Sequence, residues 1–238
     1  MKDYLIKLLF GSNKYIKHLR KLGCHIGEDV SMYKPLTSIT IDITRPWLIE
    51  IGEHVRITKG VTILTHDYGW SVIKGLNGEI YGSAKKTKIG NNVFIGINTT
   101  ITGGVTVGNN VIIGANSLVS KDIPDGVVAA GNPAKVICTI EEYMKKRKSK
   151  QLDEAVNMTI EYYKTYGKWP EKAILREFVW LFEDRKADID NDAVFSEIGH
   201  LGGNFEVTKK AFKKSKGEFA SFDEFIEYCK KAYEKMIK

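Results

Sequence analysis

The sequence predicts a mainly β fold: a parallel solenoid of six-residue repeats, preceded by a short helical segment and followed by a helical subdomain. Three observations predict it. An aliphatic residue leads every sixth position from Ile89 to Val119. Gly and Asn gather just behind those positions. From Thr139 onward the apolar spacing changes to three and four residues.

A repeat is read first, because missing one misassigns the whole fold. Ile89, Ile95, Ile101, Val107, Ile113 and Val119 are all aliphatic. Four residues behind each stands Val93, Thr99, Val105, Val111, Ser117 or Ile123, all β-branched or small. Gly90, Gly96, Gly108 and Gly114 follow four of the leads directly. A period of six suits neither a 3.6-residue helix nor a two-residue strand alternation. It suits a short strand closed by a turn, over and over. The aliphatic lead points inward and the small residue fits the next corner. Asn91-Asn92 and Asn109-Asn110 supply the positive φ that tight corners need. Each coil then pairs its backbone with the coils above and below.

The same phase runs upstream through Ile51, Ile57 and Ile63, with Val55 and Val61 at the second inward position. A weaker echo lies in Ile26-Gly27-Glu28-Asp29-Val30. Between Ile63 and Ile89 the phase breaks, so residues 67–87 are expected to form a loop thrown out from the solenoid. A long excursion from a regular repeat is more often functional than accidental.

The flanks divide the chain into residues 1–22, a helical segment; 23–138, the solenoid; and 139–238, a helical subdomain. Thr139 followed by Glu142 fits a capping box. Tyr162, Tyr163 and Tyr166, then Ile174, Leu175, Phe178, Val179 and Phe182, recur at helical spacing. Trp169-Pro170 and the Gly199–Asn204 stretch break it, and Ser221–Lys238 reads as a last helix.

A chain of 238 residues buries a sizeable core without staples. No apolar run approaches the roughly 18 residues of a spanning helix. At the start, Lys7 interrupts the apolar patch and no small-x-small site follows, so no signal peptide is expected. Cys24, Cys138 and Cys229 are odd in number and show no CxxC, which indicates neither a disulfide framework nor a zinc site, and suits the cytoplasm. The net charge of +7 is spread along the chain rather than set in a nucleic-acid stripe. Its densest run, Lys145-Lys146-Arg147-Lys148-Ser149-Lys150, reads as a solvated helix face, with a basic surround for an anionic ligand such as CoA as the other reading. The amphipathic N-terminal segment is expected to pack on the solenoid rather than touch a membrane.

The stretch from Ile89-Gly90-Asn91-Asn92-Val93-Phe94-Ile95-Gly96 through Gly103-Gly104-Val105-Thr106-Val107-Gly108 to Val119-Ser120-Lys121-Asp122-Ile123-Pro124 ends in Ala130-Gly131-Asn132-Pro133-Ala134-Lys135-Val136-Ile137. It resembles the hexapeptide-repeat acyltransferases: the galactoside, maltose and serine O-acetyltransferases and their relatives in capsule and lipopolysaccharide biosynthesis. Thr65-His66-Asp67-Tyr68-Gly69-Trp70 is similar to the capsule-type members. The resemblance covers roughly residues 24–138. It implies a left-handed, three-sided β-helix assembled as a homotrimer, with acetyl-CoA in the groove between subunits. It also implies a catalytic histidine where the repeat breaks into the protruding loop, a place that His66 fills.

A hydroxyl is a poor nucleophile at neutral pH, and an imidazole in contact with it is a suitable base. Direct attack on the thioester is expected, since an acyl-enzyme route needs an activated thiol or hydroxyl and no Cys lies near the repeat break. Asp67, beside His66, is a candidate to orient the imidazole. Tyr68, Trp70 and Tyr81 in the loop offer aromatic faces to a sugar ring, and Asp42 precedes the catalytic coil as a candidate lining of the acceptor pocket. For the donor, the resemblance points to Ile97, Ala115, Ser120 and Lys121, with Lys135 reaching for a phosphate. Ile97 stands where sugar acetyltransferases commonly have a small residue, and Cys138 where an arginine often meets the coenzyme phosphate.

The expected reaction is therefore acetyl transfer from acetyl-CoA to a sugar hydroxyl, with no metal. Three other readings stand beside it. An amino-sugar N-acetyltransferase would use the same base. A non-catalytic scaffold would use the helical subdomain as a partner surface. A γ-carbonic-anhydrase-like enzyme would need three converging histidines, and residues 89–136 contain none.

Overall fold

The computed structural model describes residues 2–237 and separates into two units, with the division between Met144 and Lys145. The first begins with two helices, α1 (Lys2–Leu9) and α2 (Ser12–Leu22). Tyr15, Ile16 and Leu19, spaced three and four apart, bury the inner face of α2, and Gly23 closes it in the left-handed conformation.

A run of short strands follows: β1 (His25–Ile26), β2 (Ser31–Met32), β3 (Thr40–Ile41), β4 (Ile49–Ile51), β5 (Val55–Ile57), β6 (Thr62–Ile63) and β7 (His66–Asp67). A helix, α3 (Trp70–Asn77), interrupts them. The run resumes with β8 (Ser83–Ala84), β9 (Thr87–Ile89), β10 (Val93–Ile95), β11 (Thr100–Ile101), β12 (Thr106–Val107), β13 (Val111–Ile113), β14 (Leu118–Val119), β15 (Val127–Ala130) and β16 (Lys135–Thr139). The chain visits three sheets in rotation, in the orders β1-β4-β9-β12, β2-β5-β10-β13-β15 and β3-β6-β11-β14. All pairings within these orders are parallel.

The register explains the repeat. Ile57, Ile95 and Ile113 lie side by side in one sheet, and Ile63, Ile101 and Val119 in another. Their side chains are almost wholly buried and form one continuous core with the equivalent residues of the third sheet. Each such burial is worth about 1.5–3 kcal/mol, and the repeat multiplies it. At the corners, Asn92, Asn98, Asn110 and Asn116 take positive φ. Asn92 donates to Asn110 at 2.8 Å, and Asn98 to Asn116 at 3.3 Å, each 18 residues on. A side chain on Gly90 would sit 2.7 Å from the Gly108 carbonyl, so neighbouring circuits approach too closely there for any Cβ.

The excursion is more ordered than a loop. β7 and β8 pair antiparallel at its base, with His66 opposite Ala84, and α3 stands beyond them with no buried residue. At the far end of the coil, β16 turns back antiparallel on β15. The capping box forms: the Glu142 carboxylate accepts from the Thr139 N–H at 2.9 Å, and the Glu142 N–H donates to the Thr139 hydroxyl at 3.2 Å. It starts the long helix α4 (Ile140–Tyr166).

The second unit comprises most of α4, then α5 (Val179–Phe182), α6 (Ala193–His200), α7 (Phe205–Lys214) and α8 (Phe222–Met236). Ser221 caps α8 by accepting from the Glu224 N–H at 3.2 Å. Its core is aromatic: Phe182, Phe195, Phe212 and Phe225 are fully buried, and the Phe195 and Phe212 rings meet at 4.6 Å. The helix expected across 174–182 is instead a 3-10 turn, Lys172–Phe178, kinked at Leu175 and continued by one turn of α-helix. Lys172 is held by Glu183 and, at 2.7 Å, by Asp192, which folds this stretch back on itself. Among the described residues no helix is long and apolar enough to cross a membrane.

Candidate active site

The coil places His66 at the point where the third sheet gives way to the excursion. Its Nδ1 lies 2.6 Å from Oδ2 of Asp42, which sits just beyond the neighbouring strand β3. The Asp42 carboxylate accepts from five donors. Thr44 gives its N–H at 3.0 Å and its hydroxyl at 2.6 Å to one oxygen. The Thr65 N–H at 3.2 Å, the Thr65 hydroxyl and the His66 ring share the other.

Asp42 is only 6% exposed. Burial by itself would raise its carboxyl, but the hydrogen bonds from Thr44, Thr65 and His66 outweigh that and hold it far below the usual carboxylate range. An ionised Asp42 makes Nδ1 of His66 the protonated nitrogen and leaves the Nε2 lone pair free. Chemically, the pair can serve as a base with a fixed tautomer, and a proton taken at Nε2 would leave a positive charge facing a buried carboxylate.

The wall around the pair leaves no slack. A Cβ on Gly103 would come within 2.7 Å of the Thr65 carbonyl carbon and 3.1 Å of the His66 nitrogen. The Thr87 hydroxyl donates to the Leu64 carbonyl at 2.6 Å, and the Gly104 N–H donates back to it at 3.3 Å. The nearby Cys24 is inert, since burial pushes its thiol up to about 11.

The structure redistributes the roles expected from the sequence. Asp42, expected in the acceptor pocket, is instead the residue bonded to His66. Asp67, expected to orient the imidazole, turns outward; its carboxylate accepts from the Gly69 N–H at 2.8 Å. That bond and one from the Ser83 hydroxyl lower its pKa. Adjacent residues on a strand point to opposite faces, which is why β7 cannot offer both side chains to one place.

Tyr68 does stand beside the pair: its ring meets the His66 ring edge-on at 5.0 Å and the Trp70 ring at 6.0 Å. Tyr68 and Tyr81 are both well exposed. Ile97 and Ala115 lie one circuit apart on a single corner, where the Asn116 N–H donates to the Ile97 carbonyl at 2.7 Å. Ser120 and Lys121 lie beyond the opposite end of β14. Lys135 follows Ala134, whose N–H donates to the Leu118 carbonyl at 2.8 Å. Apart from Ile97, these are small or polar side chains at the surface. The small Ala115 on the corner and cations beyond the strand end fit an extended thioester arm with an anionic terminus. Among the described residues no group of three His, Cys, Asp or Glu side chains stands ready to hold a metal.

The bond between Asp42 and His66 is what sequence reasoning missed. β3 and β6 pair Ile41 with Ile63, which sets Asp42 beside Leu64 and Thr65. That spacing is longer than the 18-residue circuit of the later coils, and the extra residues after Asp42 hide its phase. Thr44 and Thr65 carried no signal of their own.

A coil of six-residue repeats marks a class of transferase, and known proteins bear that likeness out. The model of the bacterial transferase hexapeptide family, six repeats long, matches residues 86–121. Protein CapG of Staphylococcus aureus is 46% identical over 150 residues, covering 61% of this chain and 83% of that protein. The galactoside O-acetyltransferase of Escherichia coli (strain K12) is 38% identical over 118 residues, covering 50% of this chain and 55% of that protein. A solved hexapeptide-repeat acetyltransferase of Vibrio cholerae O1 biovar eltor, complexed with acetyl coenzyme A, is 22% identical. It covers 58% of this chain and 83% of that one at a TM-score of 0.43, too loose a match to add to the sequence relatives. The chain belongs to the bacterial hexapeptide-repeat transferases.

Proposed function

We propose that this protein moves an acetyl group from acetyl-CoA to a hydroxyl of a saccharide, with His66 as general base and Asp42 as its positioning partner. The observation that carries the reading is the 2.6 Å bond between His66 Nδ1 and a carboxylate fixed by four further donors. The donor supplies the thioester carbonyl. His66 Nε2 takes the proton of the acceptor hydroxyl as its oxygen bonds to that carbon. Asp42 steadies the imidazolium while it holds the proton, and the imidazolium returns it to the departing thiolate. Tyr68 and Trp70 form the aromatic wall on which a sugar ring stacks. Ile97 and Ala115 line the pantetheine arm, and Ser120, Lys121 and Lys135 meet the nucleotide end.

The coil is read as left-handed and the working unit as a homotrimer, whose neighbouring subunit completes the groove. The exposed Phe94, on the outer side of β10, is one apolar contact available to such a neighbour. A cytoplasmic location suits the donor and the three unpaired cysteines.

The test is thiol release from acetyl-CoA across sugars, nucleotide sugars, amino sugars and serine, with wild type beside His66→Ala. Release that needs both a sugar and His66 is the expected result. Equal turnover by the two proteins with a good acceptor rejects the base, and release only with amino sugars moves the transfer from oxygen to nitrogen.

A further inference from the structure

The second unit contains a trough that the catalytic reading leaves unused. Its wider part, about 500 Å³, is lined by Lys145, Lys148, Gln151, Trp180 and Lys216, with Glu218 at the rim. A second hollow of about 270 Å³ continues from it past Phe178 and shares Lys148 and Gln151. The wider part falls within the range of about 300–1,000 Å³ in which clefts hold small ligands.

The lining has two chemistries side by side. Lys145, Lys148 and Lys216 are exposed and enter no ion pair among the described residues, whereas Arg147 on the same helix is tied to Glu154 at 2.5 Å. The cations therefore outnumber the carboxylates along the trough. Trp180, only partly buried, is a rigid wall: its ring packs on Phe195 at 6.1 Å and edge-on against Phe212 at 5.1 Å. The next residue's carbonyl, that of Leu181, accepts from the Glu218 N–H at 3.0 Å, which ties the opposite rim to the same helix. An indole fixed in place, amide and hydroxyl groups at Gln151 and Ser149, and several free ammonium groups match a sugar that carries negative charge. The aromatic face meets C–H surfaces, the amide meets hydroxyls, and the ammonium groups meet carboxylate or phosphate.

We propose that this trough in the helical unit binds an anionic saccharide, of the same chemical class as the acceptor. The proposal rests on the saccharide-acceptor reading and narrows it to acidic acceptors. Single-stranded nucleic acid shares the negative charge but uses a succession of stacking faces along a groove, and here one indole serves.

Calorimetric titration of the full chain tests it with four probes: a galacturonate oligomer, UDP-glucuronate, neutral maltoheptaose and an oligothymidylate. Either of the first two should bind, more weakly as salt rises, and the one that does identifies polymer or activated precursor as the source. Replacing two of the three exposed cations, Lys148→Gln with Lys216→Gln, should weaken that binding at least about tenfold and leave transfer to a free neutral sugar unchanged. The idea fails if the double variant binds the acidic sugar as tightly as wild type, if neither acidic sugar binds, or if oligothymidylate binds more tightly than both. Binding by the trough is read without turnover, so an inactive catalytic site and an empty trough give different results.

Discussion

The coil and the helical unit solve the same problem, the burial of apolar side chains, by opposite means. In the coil each buried residue sits against its own equivalent one circuit away, as Ile95 does against Ile57 and Ile113. One local rule, applied repeatedly, places every side chain. In the helical unit no residue has an equivalent. Phe195, Phe212 and Trp180 fit together once, in one arrangement. The lesson is where precision comes from. The coil is stiff because its backbones are in register, and it can hold His66 and Asp42 to a fixed distance although they are 24 residues apart. The helical unit depends on particular side chains and on the caps at its helix ends.

The largest effect that would sharpen this contrast is on chemistry. Asp42→Asn should cut turnover by about 10²-fold or more, within the range of general-base contributions, and leave the Michaelis constant for acetyl-CoA close to wild type. A normal turnover number would show that register alone positions His66. The same variant carries a pH signature. The folded Asp42 carboxyl titrates well below its unfolded value of about 3.9. Its contribution to stability is thus complete above pH ~4 and is lost as pH falls through the folded value. The stability gap between wild type and Asp42→Asn should therefore narrow on acidification below pH ~4, measured by urea unfolding at a series of pH values.

Next in size, Phe212→Ala should cost about 3–5 kcal/mol, because nothing repeats nearby to refill the space. Circular dichroism melts would show a loss of helix at lower temperature. In the coil, Gly96→Ala should cost about 1–3 kcal/mol by overpacking, since the new Cβ would lie 2.6 Å from the Ala115 nitrogen, a backbone atom that cannot turn aside. A neutral result there would break the comparison, for it would mean that the circuits are free to slide apart. The smallest effect is expected at the start of α4, where Thr139→Ala removes one half of the capping box and should cost about 1 kcal/mol.

How much of this could be read beforehand follows the same division. The lead residues Ile89 to Val119 announce the coil because the repeat averages over many equivalent positions. The break after Ile63 announces the excursion and, with it, His66. Asp42 was legible as a residue near the site but not as the partner of His66, because its circuit carries extra residues and falls out of phase. Asp67 looked like the partner only through adjacency in sequence, a poor guide on a strand. Among the helices, the capping box at Thr139 could be read, being local, and so could the start of the last helix at Ser221. The turn at Lys172–Phe178 could not, because the ion pairs from Lys172 to Glu183 and Asp192 that fold it join residues well separated in sequence.

The strand β16 has a consequence for what the coil can become. A stack of parallel circuits has no natural stopping point: its last sheet edge offers the same row of donors and acceptors as every edge before it, and a second molecule could add there without limit. By reversing direction and pairing antiparallel with β15, the chain spends those groups on itself and presents a mismatched rim to any newcomer. Addition of a further parallel circuit is closed off on that one face of the coil, while β12 and β14 remain the last strands of the other two sheets.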